Sequence, residues 1–230
     1  MSSQPNQSLI DGLSVLQLLA ASKEPLGSRE TGRLLDLNSV RANRLLKTLA
    51  DIGLASQNQK KKYSIGPGIH TLTAQALFGS KILNQALPLI KQIKFPKFTV
   101  ALGVFWNGYV TYLFHGKADE PIENSLGRIG LTSSFNTVMG RLMLSYEEDS
   151  KIDHLYKLIE PELSKKEVKQ FVKQVRKDNY YIKKTDGSYN IAVPIGKPAA
   201  MGIALAGIPN EEAPQPYLDE LTAISQNIIL

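Results

Sequence analysis

Residues Ser28 to Tyr63 read SRETGRLLDLNSVRANRLLKTLADIGLASQNQKKKY. Two helices and a hairpin are written into this stretch. Ser28 is a capping residue type, and Glu30 follows in the first turn, where a carboxylate suits the positive end of the helix dipole. This helix is expected to run to about Leu35. Gly32 lies inside it, at a cost of roughly 1 kcal/mol relative to alanine, which close approach by the next helix would offset. The next helix is expected from Asn38 or Ser39 to Ile52. Its apolar face is Ala42, Leu45, Leu46, Leu49 and Ile52, and Gly53 is its stop. Leu54 to Gln57 and Lys62 to Ile65 then read as strands around the tip Asn58-Gln59-Lys60-Lys61. Helix, tight turn, helix and basic hairpin, in that order, are the layout of a winged helix-turn-helix.

Such a layout presents a cationic helix of the right size for a DNA major groove. Arg41, Arg44, Lys47 and Thr48 lie opposite or beside the apolar face, on one accessible side. Ser39, Val40, Arg41 and Asn43 occupy the first turn and a half, the end that reaches base edges in a helix-turn-helix. Arginine can pair in bidentate fashion with guanine, asparagine with adenine, and valine can touch a thymine methyl. Arg44 and Lys47, deeper along the helix, suit phosphates, which position a protein without reading sequence. Ser28 and Arg29 open the preceding helix and join the same contact set. Lys60, Lys61, Lys62 and Tyr63 suit the backbone or minor groove.

Outward from this stretch, Ser8 reads as the cap of an N-terminal helix with Leu9, Leu13, Leu16 and Ala20 on its face, Ile10, Val15 and Leu19 beside them, and Pro25 marking its end. A connecting helix is expected from Ile69 to about Lys94, with Pro88 a break or kink. Phe98 to Trp106 and Tyr109 to His115 flank Asn107-Gly108, a strong short hairpin signal. A charged, glycine-rich loop spans Gly116 to Gly130. Asn136 to Tyr146 and Ser164 to Lys177 read as helices, and Glu147, Glu148 and Asp149 as a helix end in solvent. Tyr189 to Ile195 and Ala200 to Ile208 read as closing strands, and Tyr217 to Ile229 as a final helix.

Bulk properties agree with a two-part DNA-binding protein. The chain has 230 residues, 43% hydrophobic, and a net charge of +6. Residues 1–70 hold nine Lys/Arg against five Asp/Glu, and residues 71–230 hold 18 against 16, so most of the excess sits in the first third. No apolar run approaches the roughly 20 residues a bilayer span needs. The polar N-terminus lacks a secretory pattern, and a cytoplasmic location fits best. The absence of cysteine excludes disulfides and thiolate chemistry. His70, His115 and His154 have no metal-ligand spacing, and no hydrolase elbow, phosphate-cradling glycine loop or His-Glu-x-x-His occurs. The chain is not expected to be an enzyme or to carry a cofactor. The alternative to a DNA-binding switch is a winged-helix module that binds a protein partner and no small molecule.

The segments Ser8-Leu9-Ile10-Asp11-Gly12-Leu13, Pro25-Leu26-Gly27-Ser28, Arg44-Leu45-Leu46-Lys47-Thr48-Leu49 and Tyr63-Ser64-Ile65-Gly66-Pro67-Gly68 resemble the N-terminal domain of the IclR family of bacterial transcriptional regulators. The similarity is good over about residues 8–85. It continues more weakly through Phe98 to Gly116, Asn136 to Tyr146 and Tyr189 to Gly207, which resemble that family's effector-binding domain. Two segments depart from it: Val40-Arg41 stands where the family usually has Ser-Thr, and Ser133-Ser134-Phe135 where it usually has Pro-Leu-His.

The resemblance implies an α/β (α+β) chain in three parts. These are a winged helix-turn-helix over 1–68, a linker helix over 69–94, and a GAF/PAS-like effector-binding and oligomerisation domain with a curved antiparallel sheet over 95–230. It also implies a homodimer or dimer of dimers on a roughly palindromic DNA operator, responding to a small organic or aromatic acid. The family's pocket lies against the sheet near a helix N-terminus. By that likeness Ser133, Ser134, Asn136 and Thr137 line one side, Asp186, Ser188 and Asn190 the other, and Ala204 the adjoining strand. Free backbone N–H groups at a helix start favour an anion. Equally, Ser134 or Asn136 can cap its own helix, and Asp186-Gly187 is an ordinary turn signal.

Overall fold

A computed structural model describes residues 4–125, 130–196, 199 and 201–228. Part of the expected 116–130 loop, the strand start at Ala200 and the helix end at Ile229 lie outside the described residues. The chain divides into two units, Met1–Ser80 and Lys81–Leu230.

In the first unit, α1 (Gln7–Ala21), α2 (Ser28–Leu34) and α3 (Ser39–Asp51) precede a hairpin of β1 (Ala55–Gln57) and β2 (Tyr63–Ile65), then α4 (Gly68–Phe78). The core is Val15, Leu19, Leu26, Leu46, Leu49, Ala55 and Tyr63. Burying each large apolar side chain contributes about 1.5–3 kcal/mol. Leu26 exchanges two 2.8 Å backbone hydrogen bonds with Tyr63, which ties the segment before α2 to the hairpin.

Gly32 has the close approach that its cost demands. A Cβ there would stand 2.6 Å from the Leu37 carbonyl oxygen, so it is the turn, more than the body of α3, that presses on α2. Asp36, in that turn, takes φ +52°, a left-handed conformation to which Asp and Asn are better suited than most residues.

Three local expectations change in this unit. The cap of α1 is Asn6, whose side chain accepts from the Ser8 and Leu9 amides, so Ser8 lies inside the first turn. The buried stripe of α1 is Asp11, Val15 and Leu19, leaving Leu9, Ile10 and Leu13 exposed. The residues that pack, spaced by four, are centred on Val15 rather than Leu13. Ser28 is the first residue of α2 and Gly27 its cap, with no side-chain cap bond.

The single connecting helix is in fact two. α4 ends at Phe78, Gly79 caps it, and α5 (Lys81–Ile90) begins the second unit. Pro88 lies in the last turn of α5, where it precedes the helix end and does not divide it.

The second unit continues with β3 (Thr99–Trp106), β4 (Tyr109–Lys117), β5 (Thr132–Ser133), α6 (Val138–Leu144), α7 (Asp149–Ile159), α8 (Lys165–Asp178), β6 (Tyr181–Lys184), β7 (Ser188–Ile195), β8 (Met201–Pro209) and α9 (Gln215–Gln226). One antiparallel sheet of six strands has the order β5-β4-β3-β8-β7-β6. Asn107 and Gly108 both take positive φ, 48° and 82°, as a two-residue hairpin turn requires. Register shifts at Leu102/Gly103 and Tyr189/Ile191 bend the sheet, as an extra residue in one strand must.

Alternation along the strands splits the core in two. Val100, Leu102, Ile191, Ile203 and Leu205 face α5 and α9. Ala101, Ala192 and Ala204 face α6 and α8. Small residues on that second face admit Met139 of α6: a Cβ on Gly103 would stand 2.5 Å from its Sδ. The acidic run Glu147, Glu148 and Asp149 does not end a helix in solvent. Glu148 caps α7 and Asp149 opens it, so the charges sit at the end of a helix that favours them.

Candidate functional site

Cation placement in the first unit follows from the way α3 packs. Ala42, Leu46 and Leu49 are buried, and Arg44, Lys47 and Thr48 are exposed. Asn38 caps the helix by accepting from the Arg41 amide at 2.8 Å. At the same end Ser39 is exposed, Val40 is 70% exposed, and Asn43 is half-buried. Arg29 is exposed and Ser28 half-buried at the start of α2. One side chain of the set is not free in water. Arg41 forms an ion pair with Asp11 of α1, Nε to Oδ2 at 2.6 Å.

The hairpin tip is a defined turn. The Asn58 amide donates to the Lys62 carbonyl at 2.9 Å and the Lys61 amide to the Asn58 carbonyl at 3.0 Å. Asn58 Oδ1 accepts from the Lys60 and Lys62 amides, each at 3.0 Å. Lys60, Lys61 and Lys62 are exposed. Tyr63 is not a surface residue. It is 1% exposed and belongs to the core, because β2 alternates and this position turns inward. It is removed from the expected DNA contacts.

Lys61 holds φ +56°, a region that costs a non-glycine residue about 1–2 kcal/mol. Lys61→Gly is therefore expected to leave thermal stability unchanged or raise it by up to about 1 kcal/mol. If the wing meets a polyanion, the same variant loses one unit of salt slope in binding. Calorimetry and a salt titration on one preparation separate the two effects; a less stable variant would contradict the strain argument.

In the second unit, the residues expected around a ligand have mostly internal partners. Thr137 is the cap of α6: its Oγ1 accepts from the Gly140 amide at 2.9 Å. Neither Ser134 nor Asn136 takes that role. Ser133 Oγ accepts from the Phe135 amide at 3.3 Å. Asn190 lies at the β7 irregularity and accepts from the Gly207 amide at 2.9 Å. The Ser188 carbonyl closes the β6–β7 turn on Thr185, and Asp186 is exposed within that turn. Ala204 is buried between Ala101 and Ala192. Ser134 is fully buried and its Oγ has no partner among the described residues.

Two cations adjoin this loop that composition alone did not single out. Lys183 donates to the Asn136 carbonyl at 2.5 Å. Arg141 donates through Nε to the Phe135 carbonyl at 2.8 Å and through Nη1 to the Tyr181 hydroxyl at 3.1 Å, over the ring of Phe171. Burial, and then the nearby Arg141 charge, lower the Lys183 pKa from its usual value. Burial raises that of Tyr112, against a smaller lowering from its bond to Thr137. Lys183 lies on the edge strand β6, in register with Asn190 of β7, so its bond to Asn136 links the segment before α6 to that edge of the sheet. The only signal in the chain for Arg141 was a charge in an otherwise apolar short helix.

Among the described residues no group of three His, Asp or Glu could hold a metal ion, and no helix is long and apolar enough to cross a membrane.

No protein-family model matches the chain and no curated protein matches it in sequence. Solved structures do. An IclR-family transcriptional regulator from Brucella abortus superposes with a TM-score of 0.74 at 20% identity, over 99% of this chain and 94% of its own. A regulator of the same kind from Alicyclobacillus acidocaldarius gives 0.68 at 18% identity, over 98% of both chains. An IclR homolog from Microbacterium hydrocarbonoxydans, complexed with 4-hydroxybenzoate, gives 0.59 at 18% identity, over 96% of this chain and 97% of its own. Over nearly its whole length, the chain has the fold of the IclR transcriptional regulators.

Proposed function

We propose that this protein is a sequence-specific DNA-binding transcriptional regulator whose operator affinity is set by a small organic or aromatic acid in the second unit. The observation that carries the reading is the division of α3: Ala42, Leu46 and Leu49 are buried while Arg44 and Lys47 stand in water. Phosphates take Arg44, Lys47 and the wing lysines. Val40 and Asn43, at the N-terminal end of α3, meet base edges. The protein acts in the cytoplasm, and it needs no chemistry of its own.

A second copy of the chain completes the DNA-binding unit. α4 has no buried residue, and Leu72 and Leu77 are exposed on it, as are Leu9, Ile10 and Leu13 on α1. Apolar surface of this kind is favourably removed from water, and two heads match a two-fold operator. Sedimentation of the full chain should report a dimer or a dimer of dimers.

The acid is supported by Arg141 and Lys183 beside the Ser133–Thr137 loop, and by the 4-hydroxybenzoate held by the Microbacterium hydrocarbonoxydans protein. Ligand that prefers the folded state raises its stability, by about 2.7 kcal/mol at a hundred times Kd. A thermal-shift series of benzoates and small aliphatic acids tests this part.

The DNA reading is tested by selection from random duplexes, followed by affinity measurement across salt. Wild type should select one sequence and show a steep salt dependence. Arg44→Ala is expected to weaken selected and scrambled duplexes alike and to reduce the salt slope by about 1. Absence of any selected sequence at moderate salt would sink the proposal.

A further inference from the structure

We infer that Asp11, on α1 and outside the reading helix, is a positioning residue for base selection because it holds the guanidinium of Arg41. This rests on the DNA-binding reading above. Three observations lead to it. Asp11 is 7% exposed, so its carboxylate is withdrawn from water. Both of its oxygens are engaged: Oδ1 accepts from Gln7 Nε2 at 2.7 Å, and Oδ2 meets Arg41 Nε at 2.6 Å. The Arg41 side chain remains 39% exposed, and no other partner for it is present among the described residues.

A buried carboxylate with one cation is an expensive arrangement in a small core, since an apolar pair of similar volume is often no less stable. Its use here lies in geometry. Guanidinium is planar, with five N–H donors in a fixed fork. Securing the Nε side fixes the plane and leaves the terminal nitrogens, the pair that meets guanine O6 and N7 in bidentate contact. Arg41 is anchored twice, because its own amide is the donor that Asn38 accepts. Arginine carries much rotamer entropy, and a side chain already held loses less of it on binding. The carboxylate thus favours one orientation of the donor fork before DNA arrives.

Two roles are thereby separated on one helix. Arg44 and Lys47 have no ion-pair partner among the described residues and act as mobile charges. Arg41 is a fixed base-reading group whose orientation is set from α1.

The test uses the full chain and the selected duplex, with single base-pair changes across the half-site. Wild type should discriminate at one position by about 10- to 100-fold, the range of a good bidentate contact. Asp11→Asn keeps shape and a hydrogen-bond acceptor but loses the charge. It should lose most of that discrimination while keeping the preference at every other position. Arg41→Lys keeps the ion pair and a folded domain but has no fork, and should lose discrimination at the same position. Combining the two should add little, because both act through one contact.

If Asp11→Asn melts near wild type and keeps full discrimination, the inference is overturned while the DNA reading stands. It is equally overturned if that variant weakens all duplexes alike, or if Arg41→Lys discriminates as wild type does. No selection by wild type overturns both.

Discussion

Leu46→Ala is expected to remove about 2–5 kcal/mol from the first unit. Leu46 is 0% exposed and belongs, with Val15, Leu19 and Leu49, to the apolar cluster that joins α1, α3 and the hairpin. Whole domains keep only about 5–15 kcal/mol of net stability, and small ones bury least. A loss of this size therefore consumes much of what the unit has. The full chain should show an early melting step that belongs to the first unit, with the second unit's transition little changed. DNA affinity should fall with the folded fraction, although no charge has been altered. A single transition at the wild-type temperature would mean that α3 is not held through this face.

Gly140→Ala in the second unit is expected to destabilise by about 1–3 kcal/mol or more, the usual cost of overpacking. Alanine inside a helix normally gains about 1 kcal/mol over glycine, so the sign itself is the test. A Cβ at Gly140 would lie 2.4 Å from both Cα and the carbonyl oxygen of Ser134, and those are backbone atoms with no side-chain freedom. The clash pushes α6 away from the Ser133–Thr137 loop, so any acid bound there should bind more weakly as well. Gly12→Ala is the internal comparison. Gly12 lies inside α1, and a Cβ there would meet only Leu45 Cδ2, at an ordinary 3.8 Å. That variant should gain close to the full helix-propensity difference. Equal and favourable shifts in both variants would show that α6 does not press on the loop.

Differences between the two glycines illustrate which features a linear chain can disclose. Both stand in helical patterns, and nothing local distinguishes them. The distinction is made by Ser134, six residues away along the chain but in contact through the fold. Gly32 is a case of the same kind: its partner, Leu37, is five residues away in the turn that follows α2, and only the folded path of that turn brings the carbonyl close.

Shorter-range interactions set α3 and the hairpins. The amphipathic period of α3, its Asn38 cap, its Gly53 stop and the Asn107-Gly108 hairpin are short-range matters. They depend on 3.6-residue periodicity and on which residues tolerate positive φ, and both are written in neighbouring letters. Tyr63 misled because a tyrosine beside three lysines looks like surface, whereas β-strand alternation turned that one position inward. The start of α7 was missed because Glu147, Glu148 and Asp149 suit a solvent-exposed helix end as well as a helix N-terminus.

By itself, then, the chain determined α3 to within a residue at each end, its apolar face apart from Ile52, which is 60% exposed, and that a basic hairpin follows. Those properties come from interactions spanning a few residues. Only tertiary structure decided that Asp11 faces inward and grips Arg41, that the linker divides at Gly79, and that β3 lies beside β8 in the sheet. Each of these joins groups far apart in sequence or turns on what packs beside them. A carboxylate in an apolar stripe reads as surface until the cation that compensates it is brought within reach.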